Sequence, residues 1–224
     1  MNPGADSLSI RRKAGLAGAI TASIILLDQA LKIWVKTSFT LGETRPVLGS
    51  YLQLHFVENY GMAFGMEFGG ALGKILLSLF RLGLIVFLGY LLSRYIRENS
   101  GPGVIIPLSL IMAGALGNMI DSTFYGLLFS ASDFETVARM FPPEGGYDGF
   151  LHGRVVDMLY VELVNFSREQ APSWFPDFLF GPDGHFVFFR PVFNLADAAI
   201  TCGVVLGLLF RRQFQSLGQP AAQD

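Results

Sequence analysis

The chain has 224 residues, 51% of them hydrophobic and only 15% charged, with a formal net charge of -2. Soluble domains carry about a quarter charged residues, so lipid is expected as part of the solvent, and the weak net charge with no basic run argues against a nucleic-acid partner. The single cysteine, Cys202, excludes an intrachain disulfide and lies in an apolar run, where it is expected to be a small packing residue.

Arg11, Arg12 and Lys13 precede an apolar run at about 14–35 that exceeds the roughly 7–15 residues of a cleaved signal, so it is read as a retained membrane helix. Within it Asp28 and Lys32 stand four apart with the acid N-terminal, the favourable order for a helical ion pair. In "YLQLHFVEN", Tyr51, Gln53, His55 and Val57 alternate with Leu52, Leu54, Phe56 and Glu58, and the turn-like Asn59-Tyr60-Gly61 overlaps its end. That pattern predicts a short strand pair, in a β segment at about 44–66. Further apolar runs at about 72–93, 104–126 and 192–210 likewise meet the roughly 20 residues a membrane helix needs. Arg81, about midway along the second run, either pairs with a buried acid or snorkels. The long connection at about 127–191 holds nine acidic residues against four arginines and ends in "WFPDFLFGPDGHFVFFRPVF", an aromatic density suited to the headgroup layer. The polar tail after Arg212 is expected to be disordered.

Arg11, Arg12, Lys13, Arg94, Arg97, Arg211 and Arg212 all fall on one side of this arrangement, which predicts cytoplasmic termini. The fold class expected is an all-α membrane protein: a four-transmembrane-helix bundle forming one domain over 1–224, with a small extracytoplasmic β segment and a surface region of loop and helix.

Carboxylates within membrane spans cost an estimated 2.5 to 3.5 kcal/mol and tend to face protein or a watery cavity. Asn118 lies three residues before Asp121 in the third run, and Asn194 three before Asp197 in the fourth, so each pair shares a helix face. The two runs cross in opposite directions, which puts Asp121 and Asp197 at similar depth near the outer surface. Ala113, Gly114, Ala115 and Gly117 are small enough to let the helices approach closely. Two carboxylates sharing a site drive their proton affinities apart, so that one can activate water while the other polarises a scissile carbonyl. Taken singly, each aspartate is as well explained by capping or pairing within the bundle. A catalytic metal is not expected, since His55, His152 and His185 all lie outside the spans without the spacing of a metal site. The other reading is a small proton-coupled transporter or relay protein, because intramembrane carboxylates also mark proton paths. Four spans without broken or repeated halves argue against it.

"DQALK" at Asp28 to Lys32, "ENYGMAFG" at Glu58 to Gly65, "GALGNMID" at Gly114 to Asp121, "GRVVDM" at Gly153 to Met158 and "FNLAD" at Phe193 to Asp197 together resemble, in order, the motifs of the lipoprotein signal peptidases, also called type II signal peptidases. The resemblance covers nearly the whole chain apart from its tails. It implies a peptidase of the bacterial cytoplasmic membrane, active near the outer face, that cuts a diacylated prolipoprotein just before its lipid-modified cysteine, with two aspartates and neither metal nor cofactor. By motif position those are Asp121 and Asp197. The resemblance further implies a pocket shaped by Asn59, Gly61, Asn118, Asn194 and Ala196 with Asp28 and Lys32 beside it, contact with membrane lipid, and inhibition by lipobox-mimicking cyclic peptides of the globomycin type. Two departures stand out. Ser122 occupies the position after Asp121 where family members usually have arginine, so a charge there must be absent or come from elsewhere, such as Arg154 or Arg190; and the stretch at about 127–152 is longer than usual. Asp157 also matches a family position, though an ion-pair or capping role explains it at least as well.

Overall fold

The computed structural model describes residues 3–59, 70–162, 164–182, 184–188 and 191–215. Among them three helices are long and apolar enough to cross a membrane: Ser9–Lys36, Ile75–Arg97 and Pro102–Leu128. They belong to α1 (Pro3–Lys36), α2 (Gly70–Arg97) and α3 (Pro102–Ile120), the last continuing through a π-helical turn at Asp121–Tyr125 into α4 (Gly126–Leu128). Over its most apolar stretch the third is 56% buried and the other two 11%, so it is the central helix and the others lie around it.

The fourth expected span, at about 192–210, is shorter than predicted. Its helix, α5 (Leu195–Leu209), has 15 residues, about 22 Å of rise against a hydrocarbon layer of about 30 Å. The polar chemistry at its start sets this limit. Asn194 is extended (φ -118, ψ 178) and accepts from the Asp197 N–H, while the Asp197 side chain accepts from Asn194 N, a reciprocal cap that fixes where the helix begins. Just before it, Phe193 exchanges backbone hydrogen bonds with Leu159 and is thereby held as strand-like chain. A short helix, α6 (Arg211–Gln215), follows Phe210, so the expected disorder after Arg212 does not hold at its start; the rest of that tail lies outside the described residues.

Lipid offers no hydrophobic drive between helices, so close approach must come from small residues. A Cβ on Gly114 would overlap the Ala196 carbonyl oxygen of α5, and one on Gly203 would come within 2.8 Å of the Pro107 carbonyl oxygen of α3. Cys202, beside Gly203, is exposed rather than packed, because Gly203 is the residue turned toward α3.

The expected strand pair is an antiparallel hairpin, β1 (Thr44–Leu48) and β2 (Leu52–Asn59), turning through Gly49 at φ +58. What the sequence did not give is its third strand, β3 (Val155–Val161), which pairs antiparallel with β2 and sets Asn59 opposite Val155. Val35, Phe39, Phe56, Tyr125, Phe129, Val156 and Met158 form the apolar core that joins this sheet to the ends of α1 and α3. The aromatic-rich segment forms a second hairpin, β4 (Val164–Ser167) with β5 (His185–Phe188), whose Phe166 and Phe186 stack with Phe175.

Replacing Gly114 by alanine should lower stability by about 1–3 kcal/mol, the usual range for overpacking, because the obstacle is backbone of α5 that cannot rotate aside. Gly18→Ala, which meets nothing within 4 Å, serves as control. Melting temperatures in detergent check this, and equal values for the two variants would contradict the packing.

Candidate active site

Four elements converge where α3 passes into its π-helical turn, and the convergence is built on polar contacts. Lys32 of α1 is fully buried, with its Nζ 2.9 Å from Asp28 Oδ2, 2.9 Å from Asp121 Oδ2 and 2.9 Å from Asn118 Oδ1. The expected Asp28–Lys32 pair is therefore present, but the lysine bridges two carboxylates rather than one. Asp28 also accepts from the Ala196 N–H at 2.9 Å, tying α1 to the first turn of α5. Such an N-terminal N–H has no partner within its own helix and favours a negative charge.

Both oxygens of Asp121 are occupied and its side chain is fully buried. Oδ1 accepts from Gln29 Nε2 at 2.8 Å; Oδ2 faces Lys32 and accepts from the Val156 N–H at 3.1 Å. Gln29 is in turn held by the Tyr125 hydroxyl, which donates to its Oε1 at 3.1 Å. The strand bearing Val156 comes this near because Gly153 N–H donates to Ser122 O at 2.9 Å, and a Cβ on Gly153 would overlap the Asp121 carbonyl oxygen.

Asp157 follows Val156 on β3 and is buried. Its Oδ1 accepts from Asn194 Nδ2 at 2.7 Å and its Oδ2 from Asn59 Nδ2 at 3.3 Å. Asn194 Nδ2 lies also 3.1 Å from Asn118 Oδ1, and Asn118 Nδ2 donates to Asp197 Oδ1 at 2.7 Å. Two asparagines thus link Asp157 to Asp197, and Asp197 is partly exposed. Burial first, and then the charge of Asp197, push the Asp157 carboxyl up to about 7. The acid electrostatically opposed to Asp197 is accordingly Asp157, a residue whose family position was expected to be explained at least as well by capping or ion pairing as by catalysis. The available signal was its place in "GRVVDM", an apolar strand pattern with one acid in it.

Of the other expected site residues, Asn118 and Asn194 are linkers, Asn59 holds Asp157, and Ala196 presents its N–H to Asp28. Gly61 and Arg190 lie outside the described residues, as does most of "ENYGMAFG". Arg81 of α2 donates from NH1 to Ser122 Oγ at 3.2 Å. Arg154 pairs instead with Glu58, at 2.9 Å. Glu58 is also bound by Lys36 and by Ser132 Oγ, which donates at 2.8 Å. The longer stretch at 127–152 closes over this second cluster, placing the Tyr147 ring 5.0 Å from Lys36 Nζ and 5.1 Å from the Arg154 guanidinium. The histidines are engaged separately on the outer segments, His55 by Thr44, His152 by the Phe150 carbonyl and His185 by Asn165.

A family model described as signal peptidase (SPase) II matches residues 20–211. The chain belongs to the signal peptidase II family. The lipoprotein signal peptidase of Porphyromonas gingivalis is 44% identical over 92% of this chain and 86% of its own length, and that of Amoebophilus asiaticus is 36% identical over 88% and 76%. A solved structure described as a bacterial membrane enzyme, determined by the in meso method, superposes with a TM-score of 0.55 at 20% identity, covering 94% of this chain and 95% of its own, which supports the fold alone. Membership makes this chain a peptidase and leaves the transporter reading without support.

The raised Asp157 carboxyl gives a pH dependence of fixed sign. The folded protein keeps that proton through a range in which the unfolded chain has released it, so stability falls as pH rises from about 4 to about 7. Asp157→Asn, which cannot titrate, should flatten this slope, read as the difference in melting temperature between pH 5 and pH 8 in detergent. An identical slope in both proteins would show that Asp157 is not the source.

Proposed function

We propose that this peptidase removes the signal peptide of diacylated prolipoproteins by cutting before the lipid-modified cysteine, and that it does so as an aspartic endopeptidase. Its reacting pair in this reading is Asp157 and Asp197, in place of the expected Asp121 and Asp197. The observation that supports this choice is the contrast in how the carboxylates are held. Asp121 is fully buried, with both oxygens engaged by Lys32, Gln29 and the Val156 N–H. Asp157 and Asp197 are held by neutral asparagines and face each other electrostatically.

The chemistry follows from one proton shared unequally. Asp197, ionised, takes a proton from water as the water oxygen bonds to the scissile carbonyl carbon, and Asp157 gives its proton to the carbonyl oxygen. The tetrahedral intermediate then breaks its C–N bond as Asp197 passes its proton to the departing amine and Asp157 takes a proton back from one hydroxyl, leaving a carboxylic acid, an amine and the pair as it began. Asn59, Gly61, Asn118, Asn194 and Ala196 shape the substrate pocket, while Asp28, Lys32 and Asp121 hold the helices that form it. Membrane lipid surrounds the helices, and a cyclic peptide of the globomycin type that mimics the lipobox would occupy the same pocket.

Changing Asp157 or Asp197 to asparagine should lower turnover by roughly a thousandfold or more with the protein still monodisperse in detergent, and the double variant should be little worse than either single one. Asp121→Asn should chiefly reduce stability and retain measurable cleavage. Initial rates on a diacylated lipobox peptide decide between the pairs: an inactive but stable Asp121→Asn beside an active Asp157→Asn restores the pairing of Asp121 with Asp197.

The same reading puts both termini in the cytoplasm, with α5 and α6 together making the fourth crossing and the active site near the outer face of the bacterial cytoplasmic membrane. Arg94 and Arg97 at the end of α2 and Arg211 and Arg212 in α6 support it. Single cysteines placed in a Cys202→Ala background should react with an impermeant reagent outside intact cells at Gly145 and not at Arg97 or Gln213. The reverse pattern would invert the topology.

A further inference from the structure

Arg81 is the only charged residue between Ile75 and Ser93, so its position is not explained by α2's own passage through lipid. Its guanidinium reaches across to α3, where NH1 donates to Ser122 Oγ at 3.2 Å. Ser122 is buried and its hydroxyl donates at 3.1 Å to the carbonyl oxygen of Asn118, the residue whose side chain binds Asp197. The carboxylates whose fields act on Arg81 are Asp197 foremost, then Asp121 and Asp157. Asp121 already has Lys32, which it shares with Asp28. Among the described residues, Lys32 thus bridges Asp28 and Asp121 directly, and Arg81 is the cation that reaches the same cluster from α2.

We propose that Arg81, seated by Ser122, is the positioning residue of the Asp157–Asp197 pair: its guanidinium is held beside the α3 turn whose Asn118 binds Asp197, so that Asp197 on α5 serves as the base and Asp157 as the acid. This rests on that pair being the reacting one. It also accounts for serine at 122, where the family resemblance leads one to expect arginine: the cation comes from the neighbouring helix and the serine receives it. In this role Arg81 acts on the pair through its charge and its seat on Ser122, so its removal should act on kcat and on the pH profile more than on KM.

The test measures cleavage of a diacylated lipobox peptide from pH 4 to pH 9 by the full-length protein in detergent and by its Arg81→Met, Arg81→Lys and Arg81→Met/Ser122→Arg variants. Arg81→Met should lose roughly tenfold or more in kcat with little change in KM, and the acidic limb of its profile should move up by about one pH unit or more, as expected when an opposite charge is withdrawn from a carboxylate. Arg81→Lys should keep most of the activity, and the double variant should move the limb back toward that of the unchanged protein. An Arg81→Met variant with unchanged kcat and pH limb overturns the proposal. So does loss of activity with a lowered melting temperature that neither lysine at 81 nor arginine at 122 restores, which would make Arg81 a structural residue. Full activity in Asp157→Asn or Asp197→Asn would instead overturn the pair itself, whatever Arg81→Met did.

Discussion

Lys32 is an ammonium group with no exposed surface, and the arrangement of the helices follows from the need to surround it. A buried cation is tolerated only when paired and hydrogen-bonded, and removing one partner of a buried pair is far more damaging than never having had the pair. Asp28, four residues earlier on the same helix, supplies one carboxylate at no cost in tertiary organisation. Asp121 and Asn118 must come from α3, so α3 is drawn against α1. The second oxygen of Asp28 then takes the Ala196 N–H, which docks the start of α5 on the same point. One charge thus fixes the mutual position of three helices at the depth where the carboxylates cluster.

Fixing those helices would be impossible with larger side chains. Gly114 and Gly117 let α3 lie against the first turn of α5 and against Asp28, and Gly153 lets the strand that follows lie on the backbone of Asp121. The π-helical turn begins at Asp121 itself, where an extra residue per turn re-aims the side chains that follow it. Its consequence is visible at Ser122, which faces Arg81 of α2, and at Tyr125, which reaches back to Gln29 of α1. Steric permission and charge neutralisation therefore meet at the same few residues, and the reacting pair is assembled from what remains: an acid on a strand and an acid on a helix, joined through asparagines.

The second buried cluster does for the outer layer what Lys32 does for the bundle. Lys36 stands one helical turn beyond Lys32, and its partner Glu58 lies on β2. Arg154 and Tyr147 complete the enclosure from β3 and the longer stretch before it. The charges of α1 are thus spaced one turn apart, the lower pair directed at the helices and the upper one at the sheet, so a single helix sets the registry of both layers.

Composition and hydropathic runs by themselves determined that this chain has helices long and apolar enough to cross a membrane, because such runs with few charges are readable from the sequence alone. They located three long helices, to within a few residues except at the start of α1, which begins at Pro3 rather than near 14, and the spacing of "DQALK" gave the Asp28–Lys32 pair, since helical periodicity is a local property. The alternating pattern at 51–58 gave β2 for the same reason. What local pattern could not give is which acid faces which. Asp121 and Asp197 look equivalent in sequence, each three residues after an asparagine, but whether a carboxylate is neutralised by a buried lysine or left opposite another acid depends on groups distant in the chain, Lys32 of α1 for Asp121 and Asp157 of β3 for Asp197. The third strand, the shortened α5 and the reach of Arg81 across to Ser122 are of the same kind: each depends on pairings between distant segments, whose energies exist only once the chain has folded.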